Sequence, residues 1–504
     1  MNATRSAVIL ALLLCLGHGH ANAKTVPVAD VNALKAAIAA AQPGDEIVLA
    51  AGTYKLAGAT CGAQGTSAAP ILVRATTPLG AKIEFDGLEG FHVTGPHWHF
   101  EGLDIRGVCA ADSDCEHAFH VTGAADGFRM RRCRVIDFNA QLKVNSSLVG
   151  GVRVAPQGGL VEGNEIYDTH ARATSNPVTK LNVDNASGWV ARANLIRDFQ
   201  KGGGDNISYG AFFKGGGKNN TFERNLVICT RDGPSGGTRI GLSFGGGGMS
   251  PALCAPAYDA SVPCDPENDG GLMRNNIIVS CSDVGIYLNK AKDTKLLHNT
   301  LIATSGIDFR FPSSTGEAHG NVLTDKIRLR DGGSFSGSDN LTNVPLSDFN
   351  AWYQDPLAGD LRQKGSLAQI VDQGGATPGV TDDYCARTRV DGKHDWGALE
   401  HSLGDCVTTT PPLGPTAPLT DGTASGDGPA PGDGPLTDGP SVDGAAPARD
   451  GSPPTDGAAG VDGPRGDGAG GSTDDGCSCR VATPGAPAPL LTLLLLALLL
   501  RRRP

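Results

Sequence analysis

Short patches of apolar and β-branched residues, each entered through Asn, Gly or a basic residue, recur along the first two thirds of the chain. They read Gly102-Leu103-Asp104-Ile105, Arg132-Cys133-Arg134-Val135-Ile136, Gly163-Asn164-Glu165-Ile166, Ala193-Asn194-Leu195-Ile196 and Arg224-Asn225-Leu226-Val227. Their second positions fall at 103, 133, 164, 194 and 225, in steps of 30 or 31. Further copies begin at Asn275, Asn299 and Asn321, after a long Gly-rich insertion that contains Cys254 and Cys264. A fixed period with one short β-rich patch per repeat predicts a solenoid whose coils stack by parallel pairing. The period is too long for a leucine-rich repeat and too short for a four-stranded propeller blade. The recurring Asn reads as scaffold: it suits a left-handed corner, and its amide can bond to the coils above and below. The fold class is therefore all-β, a single-stranded right-handed parallel β-helix.

The periodicity changes at both ends. Val31, Leu34 and Ile38 fall at i, i+3 and i+7 behind Asp30, which predicts a capped amphipathic helix ending at Gln42-Pro43-Gly44-Asp45. Such a helix covers the open first coil, whose apolar interior and strand edges would otherwise face water. The repeat fades between Pro345 and Glu400, where Asp391 to Glu400 resembles the closing segment of bacterial right-handed β-helix proteins. That resemblance implies a cap that ends the stack and contains Trp396.

Composition then divides the 504 residues. Arg5, an apolar run from Ala7 to Leu16 and Ala21-Asn22-Ala23 form a secretory leader, residues 1–23. Residues 24–345 are the β-helix and 346–406 its C-terminal cap. From 407 to 476 the chain is built of Asp, Gly, Pro, Ala, Ser and Thr, which cannot bury enough surface to offset the entropy of ordering, so a disordered linker is expected. Residues 477–504 carry Cys477-Ser478-Cys479, an apolar run from Leu490 to Leu500 and Arg501-Arg502-Arg503. This run is short for a bilayer span. The three parts together resemble the sorting tails of myxobacterial surface proteins, which implies a membrane partner, tail-processing machinery and a place on the outer membrane or outside the cell.

Net charge is −11 without a basic stripe, which excludes nucleic acid as a partner. A monomer is expected. Ten cysteines lie between Cys61 and Cys406, an even number that points to disulfides in an exported chain. Short separations favour Cys109 with Cys115, Cys254 with Cys264 and Cys385 with Cys406.

Polar residues dense enough for chemistry fall on three successive coils: Lys180, Asn182 and Asp184; Asp205, Asn206, Tyr209 and Lys214; Arg231, Asp232 and Arg239. Solvated positions on a β-helix wall would give the same pattern. The segment Val28 to Tyr54 and the coil pattern over roughly 26–325 resemble the chondroitinase B and alginate lyase family of polysaccharide lyases. Ser208-Tyr209-Gly210-Ala211-Phe212-Phe213-Lys214-Gly215-Gly216 resembles the strand that carries that family's lysine. The resemblance implies an extracellular polysaccharide partner and β-elimination on a uronate, with Lys214 as base, Tyr209 as proton donor and Arg239 beside the substrate carboxylate. Lys180, Asn182, Asp184, Asp205, Asn206 and Arg231 are the expected substrate contacts. It also implies calcium, but the positions five and seven before Lys214, acidic in the family, are Tyr209 and Ile207 here. Two other readings stay open: a non-catalytic glycan-binding or adhesive surface protein, and a glycoside hydrolase using Asp184 and Asp205, whose carboxyls would need to lie ~5 to 9 Å apart. His97, His99, His117 and His120 cluster in sequence, but the spacing fixes no metal ligand set.

Overall fold

The computed structural model describes residues 23–390 and 392–410. The leader up to residue 22, and the linker and tail from 411 onward, lie outside the described residues. Among the described residues no helix is long and apolar enough to cross a membrane.

Each coil contributes one short strand to each of three parallel sheets. The first sheet has 11 strands, from Thr25–Val28 to Gly316–His319. The second has 10, from Ala59–Cys61 to Ile327–Arg330, and the third has 10, from Gly52–Leu56 to Val322–Leu323. This is a parallel β-helix, and parallel strands joined by crossovers take the right-handed sense. Residues alternate across each sheet, so one row points inward. In the second sheet Val93, Val121, Val144, Val183, Phe213, Phe244, Leu288 and Phe309 pair in register from coil to coil and are all buried. Stacking like on like gives each side chain the same neighbours above and below, which is why the motif repeats.

The predicted helix is present at Val31–Ala39. Asp30 accepts a hydrogen bond from the Ala33 amide at 2.9 Å, and Leu34 and Ile38 are buried over the first coils.

Asn164, Asn194, Asn225, Asn276, Asn299 and Asn321 form a buried ladder. Each Nδ2 donates to Oδ1 of the next at 2.9 or 3.0 Å, and Asn321 donates on to Asn340 at 2.8 Å. The left-handed residue is not the Asn itself. It is the residue before it: Gly163, Ala193, Arg224, Asn275, His298 and Gly320, with φ between 53° and 66°. The corner thus divides its labour, one residue bending the backbone and the next satisfying it. Asn225→Ala leaves the Asn194 amide and Nδ2, and the Ala191 carbonyl, without their partner. A loss of about 2–3 kcal/mol is expected, read from the urea unfolding midpoint.

The three local disulfides form as the separations suggest. Even pairing of all ten cysteines does not hold. A fourth bridge, Cys229–Cys281, joins residues that follow paired strands of adjacent coils, Leu226–Ile228 and Ile277–Val279, which the insertion separates in sequence. Cys61 and Cys133 stay as buried thiols facing the interior, and burial pushes Cys133 up to about 12.

The segment assigned to a terminal cap packs along the flank of the stack. Phe349, Trp352, Tyr353, Leu361 and Tyr384 cover outward residues of the third sheet, Leu195, Leu226, Ile228, Ile277, Val279 and Ile302. Lateral bonds hold it there: His298 Nδ1 to the Asp395 carbonyl at 2.9 Å, and the Ala398 amide to Thr300 Oγ1 at 2.9 Å. Trp396 is part of this layer. This part of the third sheet is therefore closed to ligands, and the polar residues singled out from sequence fall mainly on the second sheet and the loops beside it.

Candidate functional site on the outer face of the second sheet

Two outward rows run along the second sheet, parallel to the axis of the stack. One holds His92, His120, Lys143, Asn182, Phe212, Ser243, Tyr287 and Asp308. The other continues from Asp184 to Lys214, and then through Gly245 and Asn289 to Arg310. Coil spacing of about 4.8 Å puts Arg310 about 14 Å along the axis from Lys214. At Gly245, φ is +73° and an added Cβ would meet the Asn289 carbonyl at 1.8 Å. No side chain can stand there, and the next residue, Gly246, is close-packed too: an added Cβ would meet Lys214 Cδ at 3.2 Å.

Lys214 ends its strand, half-buried. Its Nζ stands 4.6 Å from the centre of the Phe212 ring, and among the described residues no carboxylate pairs with it within 4 Å. Tyr209 meets Phe212 edge-on at 5.4 Å, and burial raises its pKa, so it keeps its proton. Tyr287, two coils further on, accepts a hydrogen bond from Arg310 at 3.0 Å. Beside these, Gly247, Met249, Glu267, Asn289, Lys290, Arg310 and Phe311 help to line a cavity of about 400 Å³, a size suited to a small ligand or one sugar unit. Glu267 is buried there, with its carboxylate held by the amides of Gly246 and Gly247 at 3.0 and 3.1 Å; desolvation raises its pKa. Lys290 and Arg310 both approach the Phe311 ring, at 5.9 and 4.7 Å. Aromatic, amide and cationic groups in one notch suit an acidic sugar.

Of the residues expected from sequence, Tyr209, Lys214, Asn182 and Asp184 share this face. Lys143, not anticipated, donates to Asn182 Oδ1 at 2.9 Å and pairs with Asp184 Oδ2 at 2.5 Å. The remainder stand elsewhere. Lys180 is wholly buried, paired with Asp168 at 2.5 Å and bonded to the Phe138 carbonyl at 2.8 Å, so it cannot touch a substrate. Arg239 is turned into its own loop, its guanidinium donating to the carbonyls of Pro234 and Gly236 at 3.2 and 2.6 Å. Asp205 and Asn206 precede the strand that Lys214 ends, roughly 26 to 30 Å away at strand rise, and Asp205 pairs with Lys201 at 2.8 Å. Arg231 lies on the loop before the next strand and pairs with Asp232 at 2.8 Å. Asp184 pairs in register with Lys214, so the same distance separates it from Asp205, far beyond the reach of two hydrolase carboxyls. His97 and His99 belong to the first sheet's side of the coil, apart from His117 and His120.

Calcium does not fit beside Lys214. The oxygens nearest in register, Asn182 Oδ1 and Asp184 Oδ2, are already taken by the Lys143 ammonium, while Tyr209 and Ile207 offer no carboxylate. An internal cation stands where a metal would otherwise be held. Tyr287, Asn289 and Arg310 are not evident from sequence because their register depends on how the insertion is spliced out of the repeat, whereas Lys143 precedes the insertion and is revealed only by its bonds to Asn182 and Asp184 on the next coil. The signal was there: Tyr287-Leu288-Asn289 repeats the pattern of Phe212-Phe213-Lys214.

Three comparisons bear on this geometry. The family model of chondroitinase B matches residues 28–149, less than half of the chain and short of Lys214. Comparison with curated protein sequences gives no significant match. Among solved structures, the pectate lyase Pel9A aligns with a TM-score of 0.52 at 13% identity, over 75% of this chain and 96% of that one. An alginate lyase from Paenibacillus sp. str. FPU-7 aligns at 0.35 and 16% identity, over 63% and 99%. A rhamnogalacturonan lyase aligns at 0.41 and 14%, over 60% and 79%. The chain is thus similar to chondroitinase B in its first coils and shares with pectate lyase Pel9A a parallel β-helix fold.

Proposed function

We propose that this protein is polysaccharide lyase-like and takes an acidic, uronate-containing glycan along the outer face of the second sheet. The observation that carries the reading is the Lys214 amine: outward, unpaired by any described carboxylate within 4 Å, and resting on Phe212. In its free-base form Lys214 removes the proton from the carbon that bears the uronate carboxylate. The bond to the leaving sugar oxygen breaks, a carbon–carbon double bond forms, and Tyr209 returns a proton to that oxygen. Lys143, whose ammonium stands beside Asp184 in the row of Lys214, supplies the positive charge that steadies the carboxylate as the carbanion develops, while Arg310, about 14 Å along the axis, meets the carboxylate of a neighbouring sugar unit. Asn182 and Asp184 hold Lys143 in position.

The test follows the ultraviolet absorbance of the unsaturated product while the protein meets alginate, pectate, chondroitin and dermatan. Rising absorbance supports elimination. Because Lys143 occupies the cation's place, adding calcium to chelator-treated protein leaves the rate unchanged; a calcium-dependent rate removes Lys143 from its assigned part.

One observation favours a second reading, a glycan-binding surface protein without catalysis: Arg239 is locked into loop carbonyls, so no arginine adjoins Lys214 in its own or the next coil. A flat trace across the panel with retention on a glycan column selects that reading. On either reading we place the protein outside the cytoplasm. The four disulfides among the described residues fit an oxidising compartment, and the leader and tail read from sequence support a surface anchor.

A further inference from the structure

At the N-terminal end of the same face, two adjacent coils bring together Glu89, His92 and His120. Their ligating atoms all lie within 4.8 Å of one another. His92 and His120 pair in register on neighbouring strands, and their rings stack at 5.2 Å. Glu89 reaches both: Oε1 is 2.6 Å from His120 Nδ1, and Oε2 is 3.9 Å from His92 Nδ1.

The far nitrogens of both rings are held by oxygens of other residues. His120 Nε2 is 2.6 Å from Asn145 Oδ1, and His92 Nε2 is 3.3 Å from Thr122 Oγ1. Both His120 nitrogens donate, Nδ1–H to the Glu89 carboxylate and Nε2–H to Asn145 Oδ1; a bound metal would take the place of the Nδ1 proton and leave the Nε2 bond to hold the ring. This is the outer-shell arrangement that fixes tautomer and ring direction in metal-bound histidines. It is independent of the proximity of the three ligands.

We propose that Glu89, His92 and His120 form a binding site for a divalent transition metal of the zinc class, with Asn145 and Thr122 as its outer shell. Two imidazole nitrogens and one carboxylate oxygen make a three-ligand set with one open position. The side chains of Glu89 and His92 are 29% and 37% exposed, so that position opens to solvent. Donor atoms around a tetrahedral zinc stand about 3.3 Å apart. The two observed separations, 2.6 and 3.9 Å, bracket this value, and small side-chain rotations meet it. Imidazole nitrogens select against calcium, which takes oxygen ligands.

The site is tested on the tag-free full-length protein after chelator treatment, by calorimetric titration with zinc chloride and by the visible spectrum of added cobalt(II). One zinc per chain and the intense visible bands of four-coordinate cobalt are expected. His92→Ala and Glu89→Gln abolish both. Asn145→Ala, which removes no ligand, weakens zinc binding about 10- to 100-fold. Circular dichroism melting shows that each variant is folded. Should a ligand variant fail to fold, the cobalt spectrum of the native protein and the Asn145→Ala titration decide. Absence of stoichiometric zinc, six-coordinate cobalt bands, or unchanged affinity in folded His92→Ala or Asn145→Ala overturns the proposal. No glycan is present in any arm, so the result is independent of the lyase reading.

Discussion

Lys214→Ala is expected to lower formation of unsaturated product by about 10²- to 10⁴-fold, the contribution of a positioned general base. The fold should not notice the change. Lys214 sits half-buried at the end of its strand, touches Phe212 through its ammonium and makes no ion pair within 4 Å among the described residues; its charge acts at longer range on the buried Glu267 carboxylate, which the Gly246 and Gly247 amides still hold. Lys214→Arg separates base from charge, since a guanidinium keeps its proton at any working pH. It should be as inactive as the alanine variant while still binding glycan. Continuous assays of both variants, with melting curves alongside, check this. An active arginine variant would mean that the residue acts by charge alone, and the base would then have to be sought elsewhere on the face.

Lys180→Met carries the largest expected cost to stability. Lys180 and Asp168 are both fully buried, and burial pushes the lysine pKa down and the carboxyl pKa up against their mutual attraction. Removing the lysine leaves Asp168 with Gln141 Nε2, at 3.1 Å, as its remaining described side-chain donor. An uncompensated carboxylate in a dry interior costs about 3–5 kcal/mol. The urea midpoint should fall accordingly, and Lys180→Met with Asp168→Leu should recover much of the loss, because two apolar groups need no partner. A single variant as stable as the native chain would show that the pair is dispensable. Neither variant is expected to change glycan affinity, which separates the structural part of Lys180 from the binding part that its position in sequence suggests.

Sequence alone determined the solenoid. One Asn per repeat and one apolar patch beside it suffice, because each coil must satisfy its backbone and bury its interior in the same way as the coil before. The capping helix was equally legible, since Asp30, Leu34 and Ile38 act through neighbours within two turns. The short disulfides followed from separations of 6, 10 and 21 residues, where chain length itself keeps the thiols close. Lys214 could be picked out because its own strand resembles a known pattern.

Only the tertiary structure decided what surrounds it. Whether a polar residue faces a groove or a buried pair depends on register between coils and on side-chain direction. Lys180 and Asn182 stand two residues apart on one strand, yet the corner of the coil turns one into the interior and the other toward Lys143. Arg239 and Arg310 look equivalent as arginines; loop carbonyls capture the first, and the notch receives the second. Glu89, His92 and His120 are spread over 32 positions and meet because one coil consumes 28 residues and stacks His120 on His92. A repeat fixes the spacing of coils, whereas a site needs side chains from several coils to converge, and that convergence is set by long-range packing that no local pattern encodes.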